Sequence, residues 1–400
     1  MSQRLTISGF LGIEQAELHV RPITLIIGEQ ASGKSVIARL LYFFYTYLAD
    51  FDELSLSKNE HKSTYDKNKK LEFYNIFPQY TWTDDEFEIG FEYNEHQISI
   101  SSAANSNAVR IKTSKAVADY FRDLKREFQK FQAQSESESL FSTSRALREF
   151  RMLQLERDLR LYEQPLFVPA ARSFYATIRD EIFRLLSLDS EIDQIILQFG
   201  DFYEAAKRSP LFRHTGRGRV DRVGSSRRIE HDYFNRIVKG QLTQIDGRDW
   251  LETSRGRIEL SKASSGQQEA APLLMAISRF PQPGRALIIE EPDAHLFPSA
   301  QVEILDFMIY QAKAQRANFV FTTHSPYLLS ALNGFLVRAE ARLDKHLAPE
   351  SVGAYCLSKG KLVSLLDPES GLIEASYIDE ISEQLEEEFV AALDALDEPS

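Results

Sequence analysis

The sequence has a single cysteine, Cys356, in 400 residues. One thiol excludes an internal disulfide framework, and such sparing use is ordinary for a cytosolic chain. A charged leader followed by a short apolar core is also missing, as is any long uncharged apolar run. The most apolar stretch, residues 36–49, is too short to span a bilayer, and Arg39 interrupts it. The expectation is a soluble, cytoplasmic protein with no membrane partner. Positive charge is absent from the end of the chain. No Lys or Arg follows Lys361, whereas twelve acids do: Asp367, Glu369, Glu374, Asp379, Glu380, Glu383, Glu386, Glu387, Glu388, Asp394, Asp397 and Glu398. Taking those twelve from the 59 acids leaves 47, against 47 Lys and Arg, so the formal net charge of −12 sits in the tail. The body is formally neutral, and the overall balance neither implies nor excludes nucleic-acid binding.

What is present begins with a hydrophobic content of 43%, enough for a sizeable core. The chain is organised around residues 23–42, ITLIIGEQASGKSVIARLLY. Ile23, Leu25, Ile26 and Ile27 read as a buried strand, and an apolar helix pattern follows. Between them, Gly28-Glu29-Gln30-Ala31-Ser32-Gly33-Lys34-Ser35 matches G-x-x-x-x-G-K-[ST]. Gly28 and Gly33 let the backbone wrap so that N–H groups point inward at phosphate oxygens. The positive end of the helix adds to the pull on an anion. Lys34 is placed to reach the β- and γ-phosphates, and the Ser35 hydroxyl to hold Mg²⁺.

Either side of this loop the chain reads as follows. Leu5–Ile7 and Ala16–Val20 are short alternating strands with Gly9 and Gly12 between them. Residues 52–71 are polar and Lys-rich and read as a mobile loop, with a basic contact patch as the sharper alternative. Alternation resumes over Phe87–Phe91, Gln97–Ile100 and Val109–Ile111. Val117, Phe121, Leu124, Phe128 and Phe131 then form a heptad seam. A low-complexity break at Ser135–Ser144 and a second helix from Arg145 to about Tyr162 suggest an α-hairpin, either packed or projecting. Leu166–Ser173 reads as a strand and turn, and helical patterns continue to about Ala206. Residues 207–228 carry Lys207, Arg208, Arg213, Arg217, Arg219, Arg222, Arg227 and Arg228 among glycines. Such a loop is compatible with nucleic-acid backbone contact, with pairing to the acidic tail, or with plain solvation.

Four features after residue 260 complete a site. Ser264-Ser265-Gly266-Gln267 is a small-residue turn opening a helix, a second anion position that a simple N-cap would resemble. Ala286–Ile289 is a buried strand that delivers paired carboxylates, Glu290 and Glu291, followed by Pro292 and Asp293. Ala294-His295-Leu296-Phe297-Pro298 follows, and Asn318–Thr323 is another buried strand ending at His324.

This order resembles the ABC-type ATPase head: phosphate loop, signature turn, acidic strand, switch histidine. The phrasing EEPDAHLFP and TTHSP is similar to that of the overcoming-lysogenization-defect (OLD-like, AAA15/AAA21) ATPases and of ATPase subunits in PARIS-type phage-defence systems. The N-terminal layout resembles structural-maintenance-of-chromosomes and recombination ATPases rather than transporter heads. The resemblance implies an α/β fold: an ABC-type P-loop ATPase head with an N-terminal antiparallel β layer and a helical, short coiled-coil insertion. It implies ATP and Mg²⁺ as cofactors, with Gly28, Gly33, Lys34 and Ser35 on the phosphates. Ser264, Ser265, Gly266 and Gln267 would contact the γ-phosphate held by the opposite subunit. Ser35 and Glu290 would hold the metal, Glu291 would be the general base and His324 would sense the γ-phosphate. Asp293 and His295 would lie at the subunit seam. Glu290 stands where the family usually has aspartate, and the glutamine that bridges to Mg²⁺ is not identifiable; Gln79 and the Phe167–Ser173 turn are two places for it.

The expected organisation is an ATPase head in two parts, 1–112 and 263–365, with a helical hairpin at 113–165, a helical and basic middle region at 166–262, and an acidic tail at 366–400. By resemblance two subunits sandwich ATP, giving a homo-oligomer. The 76 residues after His324 show no acidic cluster with nuclease-like strand spacing. The expectation is therefore a slow ATPase that acts as sensor or scaffold in antiviral defence and controls a separate effector, a nuclease. The alternative is a DNA-gripping repair ATPase.

Overall fold

The computed structural model describes residues 3–56, 60–83, 85–106, 108–134, 146–147, 149–150, 162–177, 193–207, 225–245, 247–340, 347 and 349–373. The expected break at Ser135–Ser144, most of the second hairpin arm, most of the Gly/Arg loop and the acidic tail beyond Ile373 lie outside these residues.

Fourteen strands are described: β1 Gln3–Phe10, β2 Ile13–His19, β3 Ile23–Gly28, β4 Phe87–Tyr93, β5 His96–Ser102, β6 Arg110–Thr113, β7 Leu166–Val168, β8 Gln241–Ile245, β9 Arg248–Thr253, β10 Gly256–Glu259, β11 Ala286–Glu290, β12 Asn318–Thr323, β13 Val352–Ser358 and β14 Lys361–Ser364. Eleven of them form one sheet in the order β6-β5-β4-β1-β2-β14-β13-β3-β12-β11-β7. From β13 to β7 every neighbour is parallel; from β6 to β2 every neighbour is antiparallel. This is the expected α/β layout, a parallel core carrying an N-terminal antiparallel layer.

The parallel strands are continuous apolar runs because both faces are covered. Ile23, Leu25 and Ile27 of β3, Leu287 and Ile289 of β11, and Phe319 and Phe321 of β12 enter one core. That core is closed by helices Ser265–Arg279, Pro298–Gln315 and Pro326–Glu340. The alternate residues Ile26, Ile288 and Val320 enter a second core. Helix Lys34–Asp50 covers that side, and an aromatic cluster fills the space beneath the antiparallel layer. Phe51 and Phe121 stack there with centroids 3.6 Å apart and planes 2° from parallel.

Two parts of the fold differ from the sequence reading. Residues 62–76 form a helix rather than a mobile loop. Tyr65, Lys69 and Phe73, spaced four apart, turn one stripe inward. Buried Lys69 is neutralised by Asp50 at 2.5 Å and Glu72 at 2.7 Å, so a lysine serves as a core residue. Within the region read as helical and basic, β8, β9 and β10 make a separate antiparallel meander. The heptad seam does form a helix, Lys115–Gln134, and Val117, Phe121, Leu124 and Phe128 are buried in the second core. Phe150 from the second arm closes on Phe128 and Phe131. The packed alternative therefore holds for the described part of the hairpin. No helix among the described residues is long and apolar enough to cross a membrane.

Candidate functional site

Parallel register sets the site. Ile27 pairs with Thr323, Thr322 with Glu290 and Ile289 with Val168. The carboxyl ends of β3, β12, β11 and β7 therefore finish side by side, where open parallel sheets place ligands. That edge carries Gly28, His324, the Glu290–Glu291 pair and the turn to Arg172.

The loop after β3 is tight for two stated reasons. A Cβ on Gly28 would collide with the Leu357 carbonyl of β13, and Gly33, at φ +105°, enters the helix from the left-handed region. Lys34 opens that helix and is only 5% exposed. Its Nζ donates to the carbonyls of Gly28 at 2.9 Å and Glu29 at 2.7 Å, and to Ser32 Oγ at 3.4 Å. It also lies 3.5 Å from His324 Nδ1. Three of these partners are uncharged oxygens, and no carboxylate pairs with Lys34 among the described residues. Burial pulls the Lys34 pKa below its ordinary value, while the charge of Glu291 opposes the shift. A buried, hydrogen-bonded ammonium without a counter-ion fits an anion as its missing partner.

His324 joins the two halves of the sequence. Its Nε2 lies 3.5 Å from Glu291 Oε1. The Lys34 ammonium can only donate, so a bond between the two uses Nδ1 as acceptor and leaves Nε2 facing the carboxylate. Glu291 has φ +45°, a strained value for a glutamate, and its N–H donates to the Thr322 carbonyl at 2.9 Å. The neighbouring Glu290 is buried at the end of β11, opposite Thr322. Ser35 is exposed one residue beyond Lys34. One hydroxyl and one carboxylate would suit Mg²⁺, which keeps waters and takes its other ligands from substrate oxygens. Among the described residues no three His, Cys, Asp or Glu side chains gather as an all-protein cage.

The segment after Glu291 is fastened to β12 and to the residue pair that follows it. Thr323 Oγ1 donates to Asp293 Oδ1 at 2.7 Å. Ser325 Oγ donates to Gln301 Oε1 at 2.6 Å, and Gln301 Nε2 donates to the Leu296 carbonyl at 2.9 Å. Burial raises the Asp293 pKa, only partly offset by the Thr323 bond. His295 takes φ +58°, and its carbonyl sits where a Cβ on Gly266 would come within 2.7 Å. Gly266 is thus required by the packing of its own chain.

Ser264 and Gln267 form a capping box at the start of helix Ser265–Arg279. The Gln267 N–H donates to Ser264 Oγ, the Ser264 N–H donates to Gln267 Oε1, and Gln267 Nε2 donates to the Val238 carbonyl at 2.9 Å. The cap is a local structural device, and Ser264 and Ser265 remain exposed beyond it. Gln79 lies in the exposed turn Gln79–Thr81.

The sequence reading did not assign Arg172. It follows β7 and is wholly buried. Nη1 donates to the Glu290 carbonyl at 2.6 Å and Nη2 to the Glu291 carbonyl at 2.8 Å. The available signal was an arginine four residues after a buried apolar strand, in a turn already suspected of belonging to the site.

No curated protein matches this sequence. Among solved structures, the chain is similar to an Smc head bound to the C-winged helix domain of ScpA, with 12% identity, 91% of this chain and 97% of that one covered, and a TM-score of 0.47. It is similar to an SMC head domain from Thermotoga maritima, with 9% identity, 91% and 97% covered, and a TM-score of 0.41. A third is an Smc head domain with an extended coiled coil bound to the C-terminal domain of ScpA derived from Pyrococcus furiosus, with 12% identity, 96% and 99% covered, and a TM-score of 0.43. The family model described as "AAA domain, putative AbiEii toxin, Type IV TA system" matches residues 23–330, from the strand before the phosphate loop to beyond His324, and the chain belongs to that family.

Proposed function

We propose that this chain is a Mg²⁺-dependent ATPase whose site is completed by the signature turn of a second copy. The observation that carries the reading is Lys34: a buried cation with no carboxylate partner among the described residues, under a glycine loop, facing His324. Membership of an AAA-domain family supports it.

In this reading the loop amides and Lys34 hold the triphosphate. Ser35 and Glu290 would hold Mg²⁺, which supplies charge neutralisation on the phosphate oxygens. Glu291, whose side chain is 41% exposed, takes the proton of the attacking water. His324 orients that carboxylate through Nε2–H and, through Nδ1, registers whether Lys34 has turned to phosphate. Glu290 is one methylene longer than aspartate, so its placement on the metal favours slow turnover.

We further propose that the ATP-bound oligomer is a sensor or scaffold for a separate effector, a nuclease, in antiviral defence. The EEPDAHLFP and TTHSP phrasing, similar to that of ATPase subunits in phage-defence systems, supports this role. The test is hydrolysis by the purified chain with Mg²⁺, beside co-expression with its operon neighbours. Hydrolysis that Lys34→Ala abolishes, together with a co-purifying partner whose release depends on ATP, is expected. Wild-type protein that neither binds nor hydrolyses ATP overturns the reading.

A further inference from the structure

Arg172 and Glu269 form a closed network between two functional elements that are remote in sequence. Glu269 lies two residues after Gln267, within the second turn of the signature helix, and is buried. Its Oε2 accepts from the Arg172 N–H and its Oε1 from the Ser173 N–H, each at 3.1 Å. Arg172 Nε stands 3.4 Å from Glu269 Oε2 and donates to the Glu269 carbonyl at 3.3 Å. The other end of the same guanidinium donates to the carbonyls of Pro169, Glu290 and Glu291. One rigid planar group therefore spans from the signature helix to the backbone of both carboxylates. Glu291, whose carbonyl it binds, is in the left-handed conformation with its side chain 3.5 Å from His324.

A wholly buried ion pair is a costly way to add stability, since apolar side chains of the same volume do as well. Here the charge allows one donor to bind carbonyls of two separate segments in fixed geometry. We propose that Arg172 and Glu269 are positioning residues that couple the placement of the Ser264–Gln267 turn to the placement of Glu291, so that docking at the turn sets the rate of hydrolysis. This rests on the reading of the site as an ATPase.

The test is a double-mutant cycle in the full chain with Mg²⁺-ATP, using Arg172→Lys, Glu269→Gln and the pair. Melting temperature, KM and kcat are measured for each. Lysine keeps the charge but cannot span both carbonyls, and glutamine keeps the shape but loses the charge. The expected result is KM within about threefold of wild type, kcat at least tenfold lower in each single variant, and a double variant no slower than the slower single. If Arg172→Lys does not fold, Glu269→Gln alone decides by the same kcat criterion. Unchanged kcat in the folded single variants, or losses that multiply in the double, overturn the coupling and leave the ATPase reading standing. A wild-type chain without hydrolysis overturns both.

Discussion

His324 Nδ1 lies 3.5 Å from Lys34 Nζ, across 290 positions of sequence. The contact exists because β3 and β12 are parallel neighbours in register, Ile27 beside Thr323. It turns Nδ1 to the lysine and leaves the opposite ring nitrogen facing Glu291. A lysine that lets go of the ring when it binds phosphate changes what the ring can hold.

Lys34→Met removes a desolvated cation that has no carboxylate partner among the described residues. Without nucleotide, the variant is expected to melt no lower than wild type. Hydrolysis is expected to fall by about a hundredfold or more, the scale for loss of one charge-stabilising donor. Calorimetry and a phosphate-release assay on the same samples check both halves. A destabilised variant with normal hydrolysis would mean that the lysine is a structural residue.

Asp293 carries a pH signature. Its pKa is raised by burial, so the folded chain holds that proton more tightly than the unfolded chain. Stability from this group is full below the ordinary aspartate value of about 3.9 and falls as pH rises to the raised value. Asp293→Asn keeps an oxygen for Thr323 and removes the charge. The variant is expected to have a higher denaturation midpoint than wild type at pH 7, and the gain is expected to vanish below about pH 4. Urea titrations at the two pH values check it.

Two glycines separate packing from propensity. A Cβ on Gly266 would meet the His295 carbonyl at 2.7 Å, whereas one on Gly334 meets nothing within 4 Å. Gly266→Ala is expected to cost about 1–3 kcal/mol by overpacking and to slow hydrolysis by moving the segment after Glu291. Gly334→Ala, inside helix Pro326–Glu340, is expected to stabilise by about 0.5–1 kcal/mol with hydrolysis unchanged. Chemical denaturation and steady-state rates distinguish them.

Much of the site was legible because its residues sit where patterns end. Continuous apolar runs announced β3, β11 and β12, and the next residues in the chain were Gly28, Glu290–Glu291 and His324. The strands of the antiparallel layer were legible from alternation, since one face of each is buried. The helix over residues 62–76 was hidden because three apolar or lysine positions carry its burial, and a lysine in a core looks like a lysine in a loop. The β8–β10 meander was hidden by the arginines around it. Gly247 and Gly256 stand at its two turns, and both take positive φ. Only the position of Arg172, four residues after an apolar strand, pointed to it. The Nη1 and Nη2 partners are backbone carbonyls, which any sequence has, and only the fold brings those of Glu290 and Glu291 to it.

The central claim is that the pocket holding Lys34 is finished by the Ser264–Gly266 turn of another copy, whose two serines are exposed. Glu291→Gln keeps the binding surface and removes the base, so bound ATP is not consumed. Its mass in solution, by light scattering with and without Mg²⁺-ATP, is the most direct measurement. The account predicts that a species of 45.8 kDa, or a small assembly of it, gains at least one further copy when ATP is added. ATP that binds tightly while the mass stays the same would contradict it.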